Sequence, residues 1–378
     1  MLDKNSFMDF GFSSGMSEAL IPAFGKKLLP NPTVGAALIN QRGQLVISAS
    51  HEGKGTDHAE SIIIKKITER QIDTRNCSLF VTLEPCMHED TSPSCAKLIT
   101  ESGLFNNVVI GDIDPDERTK RSGVLYLQNN GITVDIEKGA TSFIDPSYMS
   151  YAKNVNPYLI SKFGVSKDWS TFSSKNKNKY ITSEHSRKLG HVLRASVDAI
   201  LIGKKTLITD KPKLNIRYNL NAPDPFGVVL WGSILDSANF LYYFNKYKNF
   251  KFICSYDKKF AEAGIYSKNN QRIIFIKGNK ITASKILDSF HELNINSCLL
   301  EGGLLTWKLF DSASFKSIKN NKNYNTLINK MHIFESSIEF ENVENNSLDK
   351  QYVNKKYTLL NKINYSEDSL YIYERKNL

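Results

Sequence analysis

The chain has 378 residues, of which 41% are hydrophobic and 23% charged, and its formal net charge at pH 7 is +10. This length predicts two domains, because a single hydrophobic core rarely serves more than about 250–300 residues. Five cysteines in so long a chain argue against a disulfide framework. No apolar run approaches the roughly 20 residues that span a bilayer. The first residues lack a signal-peptide pattern, so we expect a cytoplasmic protein with no membrane partner.

The positive charge raises the question of nucleic-acid binding. Lysine and asparagine are scattered along the chain, especially in Ser173–Lys179 and Lys316–Asn325, and form no basic stripe interleaved with aromatic residues. Such runs are typical of solvated loops. A positive surface also suits small phosphorylated substrates. We therefore expect no nucleic-acid partner.

The first 140 residues alternate between strand and helix patterns, which predicts a layered α/β domain. Asn31 lies between two prolines in a restricted loop, and this loop is either a rigid entry to a strand or an amide presented to a ligand. A hairpin with Gly43 in its turn follows, and His51 comes at the end of its second strand. The predicted helices are Ser17–Ile21, Ala59–Ile67 and Ala96–Ser102; the predicted strands are Val34–Ile39, Gln44–Ser48, Ser78–Leu83, Val108–Ile110 and Ile132–Ile136.

Three potential metal ligands occur in this part of the chain. His58 opens a predicted helix, Cys86 follows a proline at the end of a strand, and Cys95 lies in a first helical turn for which Ser92 fits the N-cap. One imidazole and two thiolates suit Zn²⁺ and leave a fourth position open for water. Glu60, two residues after His58, is suited to proton transfer.

His-x-Glu followed by Pro-Cys and a second cysteine is the pattern of zinc deaminases, although their two cysteines are separated by two residues and here by eight. The alternative is a closed structural zinc site, which needs a fourth thiol or imidazole. His88 is the candidate for that position.

These motifs resemble the bifunctional deaminase/reductase family of riboflavin biosynthesis, in which the eight-residue gap is usual. The residues that carry the resemblance are Pro30–Gly35, His51, His58–Glu60, Thr82–Cys86, His88, Pro93, Cys95, Asp114–Pro115 and Gly131–Val134. The resemblance implies a cytidine-deaminase-like three-layer α/β/α domain at residues 1–150. It also implies that His58, Cys86 and Cys95 bind zinc, that Glu60 is the catalytic proton carrier, and that Asn31, His51 and His88 contact a small phosphorylated pyrimidine substrate.

One departure from the family concerns the segment before the second cysteine. The family usually has a basic residue there, whereas this chain has Asp90-Thr91-Ser92. Loss of that cation would weaken a contact with phosphate. Arg118, Lys120 and Arg121, in a later polar loop, are candidates to compensate.

The second half is predicted to be a parallel-rich α/β domain at residues 151–378, following a polar linker segment. Its binding site is expected at the strand ends. The predicted strands are Tyr158–Phe163, Ala199–Ile202, Val228–Trp231, Phe250–Cys254, Arg272–Ile276 and Ser297–Leu300; the predicted helices are Ser183–Ala195, Ala283–Leu293 and Leu304–Phe310. Three further segments, Lys330–Phe334, Tyr357–Ile363 and Ser369–Glu374, predict an antiparallel hairpin addition. Glycines 302 and 303 form either a plain strand-to-helix turn or a place for a pyrophosphate.

The resemblance extends to this half and implies a dihydrofolate-reductase-like α/β domain that uses NADPH to reduce a ribosyl group to ribityl. It assigns cofactor binding to Gly164, Tyr180, Thr206, Asp210 and Gly303, and substrate binding to Arg194, Leu214, Arg217 and Glu301. Trp169 replaces a family glycine, and Ser174–Lys179 replaces a Gly-x-Ser-x-Trp segment. Two alternatives therefore stay open: a deaminase with a degenerate reductase domain, and a deaminase that acts on nucleic acid. We also expect a homo-oligomer.

Overall fold

The structure is a computed structural model that describes residues 3–88, 94–153, 156–171, 180–232, 237–255, 272–276, 281–313, 315–316, 323–324, 326–340, 347–365 and 367–376. The chain forms two compact units. The first contains Met1–Asn154 and Tyr218–Pro223, and the second contains Val155–Arg217 and Asp224–Leu378. Within the described ranges, no helix combines the length and the apolar character that a membrane span requires.

The first unit is built on a five-stranded mixed sheet. Its strands are β1 (Gly35–Ile39), β2 (Leu45–Ser50), β3 (Ser78–Val81), β4 (Asn107–Ile110) and β5 (Thr133–Ile136), in the order β2-β1-β3-β4-β5. Strand β1 is antiparallel to both neighbours, whereas β3, β4 and β5 are parallel. The predicted hairpin is confirmed, and Gly43 has the positive φ of +73° that its turn requires.

Helices cover both faces of this sheet. They are α1 (Lys4–Met8), α2 (Ser14–Ala23), α3 (Ala59–Arg70), α4 (Cys95–Ser102), α5 (Ser122–Asn129), α6 (Ala140–Ile144) and α7 (Pro146–Tyr151). Ile63 of α3 and Leu127 of α5 pack with Leu38 in the core on one face. On the other face α2 lies so close to β1 that a Cβ on Gly35 would come within 2.0 Å of the Ala19 carbonyl oxygen. The predicted three-layer α/β/α architecture is confirmed.

The second unit contains a nine-stranded sheet within the described residues. Its strands are β6 (Tyr158–Val165), β7 (Ala199–Gly203), β8 (Phe226–Gly232), β9 (Phe250–Ser255), β10 (Ile273–Ile276), β11 (Ser297–Leu300), β14 (Ile328–Ser336), β15 (Tyr357–Asn364) and β16 (Asp368–Arg375); a separate pair is β12 (Phe315–Lys316) with β13 (Asn323–Tyr324). The order is β10-β9-β8-β7-β11-β6-β14-β16-β15. The strands from β10 to β14 are parallel, and β16 and β15 add an antiparallel edge.

The last three predicted strands pair with one another as expected, because β16 is antiparallel to both β14 and β15. The sequence did not predict that β14 also pairs in parallel with β6 and so joins this addition to the main sheet. The cause is that β14 is buried on both faces, so a position inside the sheet removes more apolar surface from water than an edge position would.

The helices of the second unit within the described residues are α8 (Glu184–Ser196), α9 (Lys204–Asp210), α10 (Ser237–Lys246), α11 (Ala283–Glu292), α12 (Leu304–Asp311) and α13 (Lys350–Lys356).

The core on one face of the sheet includes Phe163, Phe290 and Trp307. Trp169 joins this core with only 3% of its surface exposed, and it adopts the left-handed conformation (φ +63°) that suits a glycine. Because neighbouring residues of a strand alternate between faces, Lys162 points away from this core. Trp169 is thus a core residue. It packs on the face of the sheet opposite to the Lys162 side chain.

One predicted helix boundary differs at the second candidate cysteine. Helix α4 begins at Cys95, and its N-cap is Ser94, whose side chain accepts a hydrogen bond from the Lys97 N–H group. Ser92, the predicted N-cap, lies outside the described residues.

Candidate functional site

The predicted metal ligands converge in the first unit. One ligand atom each from His58, Cys86 and Cys95 lies within 4.8 Å of the others. His58 Nδ1 is 3.2 Å from Cys95 Sγ and 3.6 Å from Cys86 Sγ. His58 is the N-cap of α3 and Cys95 is the first residue of α4, so two helix starts and the loop after β3 supply the three ligands. This donor set fits Zn²⁺.

The site is open rather than closed. Among the described residues, no fourth cysteine or histidine joins the group. His88, the candidate for that position, places its Nδ1 atom 3.1 Å from Thr119 Oγ1 instead. An open position is what distinguishes catalytic from structural zinc sites.

Glu60 lies beside these ligands in the first turn of α3. Its side chain is buried, and its Oε2 atom has no hydrogen-bond partner among the described residues. Burial raises the pKa of Glu60 to about 7. A carboxyl group with that pKa exchanges protons readily near neutral pH.

Asn31 and His51 are joined by a hydrogen bond. The distance from Asn31 Nδ2 to His51 Nε2 is 3.2 Å, and His51 Nδ1 lies 3.1 Å from the Asp57 carbonyl oxygen. Because that carbonyl can only accept, Nδ1 carries the proton and Nε2 accepts from the Asn31 amide. Burial lowers the pKa of His51, which agrees with a neutral ring. The Asn31 amide oxygen then stays available as an acceptor for a ligand.

These side chains surround a cavity of about 340 Å³, which is within the range of small-molecule sites. Its lining residues are Pro30, Asn31, Pro32, Val34, His51, His58, Glu60, Leu83, Glu84, Cys86, His88, Asp114, Asp116, Arg118, Tyr148, Tyr151 and Ala152. The structure thus brings together the predicted substrate-binding residues of the first half with the catalytic and metal candidates.

Glu84 was given no role by the sequence. Its buried carboxylate accepts hydrogen bonds from the backbone N–H groups of Asp114 (3.1 Å), Arg121 (2.9 Å) and Val124 (3.2 Å). Since Glu84 is two residues before Cys86, it fixes the loop after β4 to the loop that carries a metal ligand. The sequence signal for Glu84 was its position between a buried strand and the Pro85-Cys86 pair. The three backbone N–H groups that bind it could not be predicted, because they lie 30 to 40 residues further along the chain.

The predicted substrate residues of the second unit form one cluster. Arg194 donates two parallel hydrogen bonds to Glu301, with Nε–Oε1 2.8 Å and Nη2–Oε2 2.6 Å, and both side chains are about one-tenth exposed. Arg194 Nη1 also donates to the carbonyl oxygen of Asn215, the neighbour of Leu214. The backbone N–H of Arg217 donates to a histidine on α8. Arg194, Leu214, Arg217 and Glu301 are therefore neighbours.

The charges of this cluster are strongly coupled. Burial alone would raise the pKa of Glu301, but Arg194 and Lys162 outweigh burial and lower it to about 2. Burial lowers the pKa of Lys162 itself. Lys162 was not among the predicted site residues. Its position within an otherwise apolar strand was the available sequence signal.

The predicted cofactor residues lie near the carboxyl ends of three adjacent parallel strands. Gly164 is near the end of β6, Gly303 follows β11, and Thr206 and Asp210 belong to α9, directly after β7. A Cβ on Gly303, the N-cap of α12, would meet no atom within 4 Å. An open helix N-terminus of this kind fits a dinucleotide pyrophosphate.

Tyr180 belongs to the segment that contacts Gly164. Thr182, two residues after Tyr180, is 3.3 Å from the position of a Cβ on Gly164. The Tyr180 ring is 48% exposed and lies 4.3 Å below the guanidinium group of Arg187. The substituted segment Ser174–Lys179, next to Tyr180, lies outside the described residues.

The fold and the two sites define an enzyme that joins a metal-dependent deaminase unit to a reductase unit. Two family models match the chain: "cytidine and deoxycytidylate deaminase zinc-binding region" at residues 15–112 and "RibD C-terminal domain" at residues 157–313. The riboflavin biosynthesis protein RibD of Aquifex aeolicus is 30% identical over 291 residues, which cover 76% of this chain and 78% of that protein. RibD of Actinobacillus pleuropneumoniae is 26% identical, with 81% and 77% covered. The chain belongs to the RibD family of riboflavin biosynthesis proteins.

Solved structures show the same fold. A Thermotoga maritima deaminase/reductase has a TM-score of 0.60 at 24% identity, covering 98% of this chain and all of that one. Acinetobacter baumannii RibD has a TM-score of 0.59 at 20% identity, covering 99% of this chain and all of that one. The predicted family, the fold class and the two enzyme classes, hydrolase and oxidoreductase, are confirmed.

Proposed function

We propose that the chain catalyses two consecutive steps of riboflavin biosynthesis. The first is hydrolytic deamination of 2,5-diamino-6-(5-phosphoribosylamino)pyrimidin-4(3H)-one, and the second is NADPH-dependent reduction of the ribosyl group to ribityl. The observation that carries the proposal is the open His58, Cys86 and Cys95 site with Glu60 in a ligand-sized cavity. Family membership supports it, and the Thermotoga maritima structure is named as a deaminase and a reductase of such pyrimidines.

In the deaminase unit, His58, Cys86 and Cys95 would hold the zinc ion. When bound, zinc supplies Lewis-acid chemistry that brings the pKa of water towards neutrality. Glu60 accepts a proton from the attacking water and passes it to the ring nitrogen. It then carries the proton of the newly added hydroxyl group to the amino group, which leaves as ammonia. Asn31, oriented by His51, accepts a hydrogen bond from an N–H group of the pyrimidine.

In the reductase unit, NADPH supplies a hydride when it is bound. Gly303 at the open start of α12 gives its pyrophosphate close access to backbone N–H groups. Gly164, Tyr180, Thr206 and Asp210 are the other residues assigned to cofactor binding. Arg194 and Arg217 provide guanidinium groups for the substrate phosphate, and Glu301 fixes the orientation of Arg194.

Mass analysis of the product tests both steps. Incubation with the diamino substrate should raise its mass by about one unit, since NH₂ is exchanged for OH. Addition of NADPH should add about two units, one hydride and one proton. Zinc-free protein should lose the first change but still reduce a substrate that was deaminated beforehand. A wild-type protein that gives only the first change would favour the alternative of a degenerate reductase unit.

The remaining expectations are a homo-oligomer, no nucleic-acid partner and a cytoplasmic location, and they stay predictions. Light scattering of the purified chain measures its oligomeric state. A gel-shift series across salt concentrations tests nucleic-acid binding, because phosphate contacts make such binding steeply salt-dependent.

A further inference from the structure

The deaminase cavity has one cationic side chain on its wall among the described residues. Among the described lining residues, Arg118 is the single lysine or arginine. Its side chain is 61% exposed, so it lies where the cavity opens to solvent. The metal ligands His58 and Cys86 line the same cavity. A ligand with a ring at the metal and an anionic group towards solvent would match this distribution of groups.

The loop that carries Arg118 is firmly held. Glu84 binds both of its ends through the N–H groups of Asp114 and Arg121. Asp114 Oδ1 accepts hydrogen bonds from the Asp116 N–H (2.9 Å) and from the hydroxyl group of Tyr148 (2.9 Å). These bonds set the loop at a fixed position relative to Cys86, so a cation on it can orient a ligand.

The two other cations of this loop are placed differently. Lys120 pairs with Glu117 at 3.0 Å, and both side chains are about half exposed. Neither Lys120 nor Arg121 lines the cavity. The structure therefore separates Arg118 from the two neighbours that the sequence treats as equivalent.

Arg118 has a partner that sets its orientation. Its Nε atom donates to both carboxylate oxygens of Asp116, at 3.2 Å and 3.0 Å, and its Nη2 atom donates to Oδ2 at 2.7 Å. An ion pair that is open to solvent on its arginine side contributes little free energy, so a phosphate dianion can share or displace the carboxylate. The planar guanidinium group can bind two phosphate oxygens at once.

We propose that Arg118 binds the 5-phosphate of the deaminase substrate and so selects phosphorylated over unphosphorylated ribosylaminopyrimidines. The proposal rests on the proposed deaminase function and adds its phosphate-recognition residue. Arg118 supplies the cation that Asp90-Thr91-Ser92 lacks.

The test compares Arg118→Gln with the wild-type chain on two substrates, the phosphorylated diaminopyrimidine and the same compound after phosphatase treatment. Arg118→Gln should raise KM for the phosphorylated substrate about 10- to 100-fold and leave kcat within about threefold, because a charge-assisted bond to phosphate is lost away from the reacting atoms. KM for the dephosphorylated compound should not change. Lys120→Gln, which removes the same charge from the same loop, should behave as wild type. Equal effects of Arg118→Gln on both substrates, or none on either, would overturn the proposal.

A binding measurement separates this proposal from the deaminase assignment itself. All proteins in this measurement carry Arg217→Gln, which weakens phosphate binding in the reductase unit equally in each. In this background, ribose 5-phosphate should bind with equal affinity by calorimetry to the zinc-loaded chain without a second substitution and to Lys120→Gln, and about tenfold or more weakly to Arg118→Gln. A chain with Arg118 intact that binds ribose 5-phosphate but does not release ammonia would contradict the deaminase function alone. Equal binding by Arg118→Gln would contradict the role of Arg118 alone.

Discussion

The buried ion pair of the second unit gives a quantitative prediction. Glu301→Gln keeps the shape of the side chain but leaves the charges of Arg194 and Lys162 without their carboxylate. The pKa of Glu301 is lowered from 4.5 to about 2, and each unit corresponds to about 1.4 kcal/mol, so the carboxylate contributes about 3 kcal/mol to folding at neutral pH. Breaking a buried pair by removing one partner typically costs about 3–5 kcal/mol, which agrees.

The tryptophans of the chain provide the assay. All three, Trp169, Trp231 and Trp307, belong to the second unit, so tryptophan fluorescence during urea unfolding reports on that unit alone. If the free energy of unfolding falls by about 3 kcal/mol, and it depends on urea with a slope of about 2–3 kcal/mol per M, the urea midpoint falls by roughly 1–1.5 M. Glu374→Gln removes the same charge from an exposed position on β16 and should leave the midpoint unchanged.

The dependence on pH follows from the direction of the shift. Since the folded-state pKa of Glu301 lies below its unfolded value, its contribution is complete above about pH 5 and is lost as the pH falls from 4.5 towards 2. The difference between wild type and Glu301→Gln should therefore shrink from about 3 kcal/mol at pH 7 to about 2 kcal/mol at pH 3.5. Equal midpoints at pH 7, or a difference that does not shrink on acidification, would refute the reasoning.

Three further predictions concern the first unit. Glu60→Gln should retain zinc, measured by elemental analysis, while ammonia release falls by about 10²–10⁴, because the proton carrier is lost; zinc loss would contradict this separation of roles. Gly123→Ala should release zinc faster to a coloured chelator, because the new Cβ would lie 2.1 Å from the carbonyl oxygen of Pro85, the residue before the ligand Cys86. Leu125→Ala is the control: Leu125 is exposed on the same helix, and its substitution should leave the rate of zinc release unchanged. Glu84→Gln should lower the free energy of unfolding by about 2–4 kcal/mol and speed zinc release, because an amide group cannot accept hydrogen bonds from all three backbone N–H groups. Zinc release at the wild-type rate would show that other contacts hold the loop in place.

Much of the architecture was encoded locally. The hairpin around Gly43, the strand before Pro85 and the helix that starts near His58 were predicted because alternating and helical patterns of apolar residues are properties of short segments. Helix α10 was not predicted from its aromatic sequence, since aromatic residues favour strands as often as helices.

The sequence by itself determined the chemistry of the metal centre. An imidazole, two cysteines and a nearby carboxylate restrict the metal and the reaction type whatever the rest of the chain does. Only the tertiary structure decided which distant groups serve that centre. The three backbone donors to Glu84, the burial of Trp169 and the place of β14 beside β6 depend on contacts between segments far apart in sequence. Arg118, Lys120 and Arg121 are equivalent as residue types, and the packing of their loop alone puts Arg118 on the cavity wall.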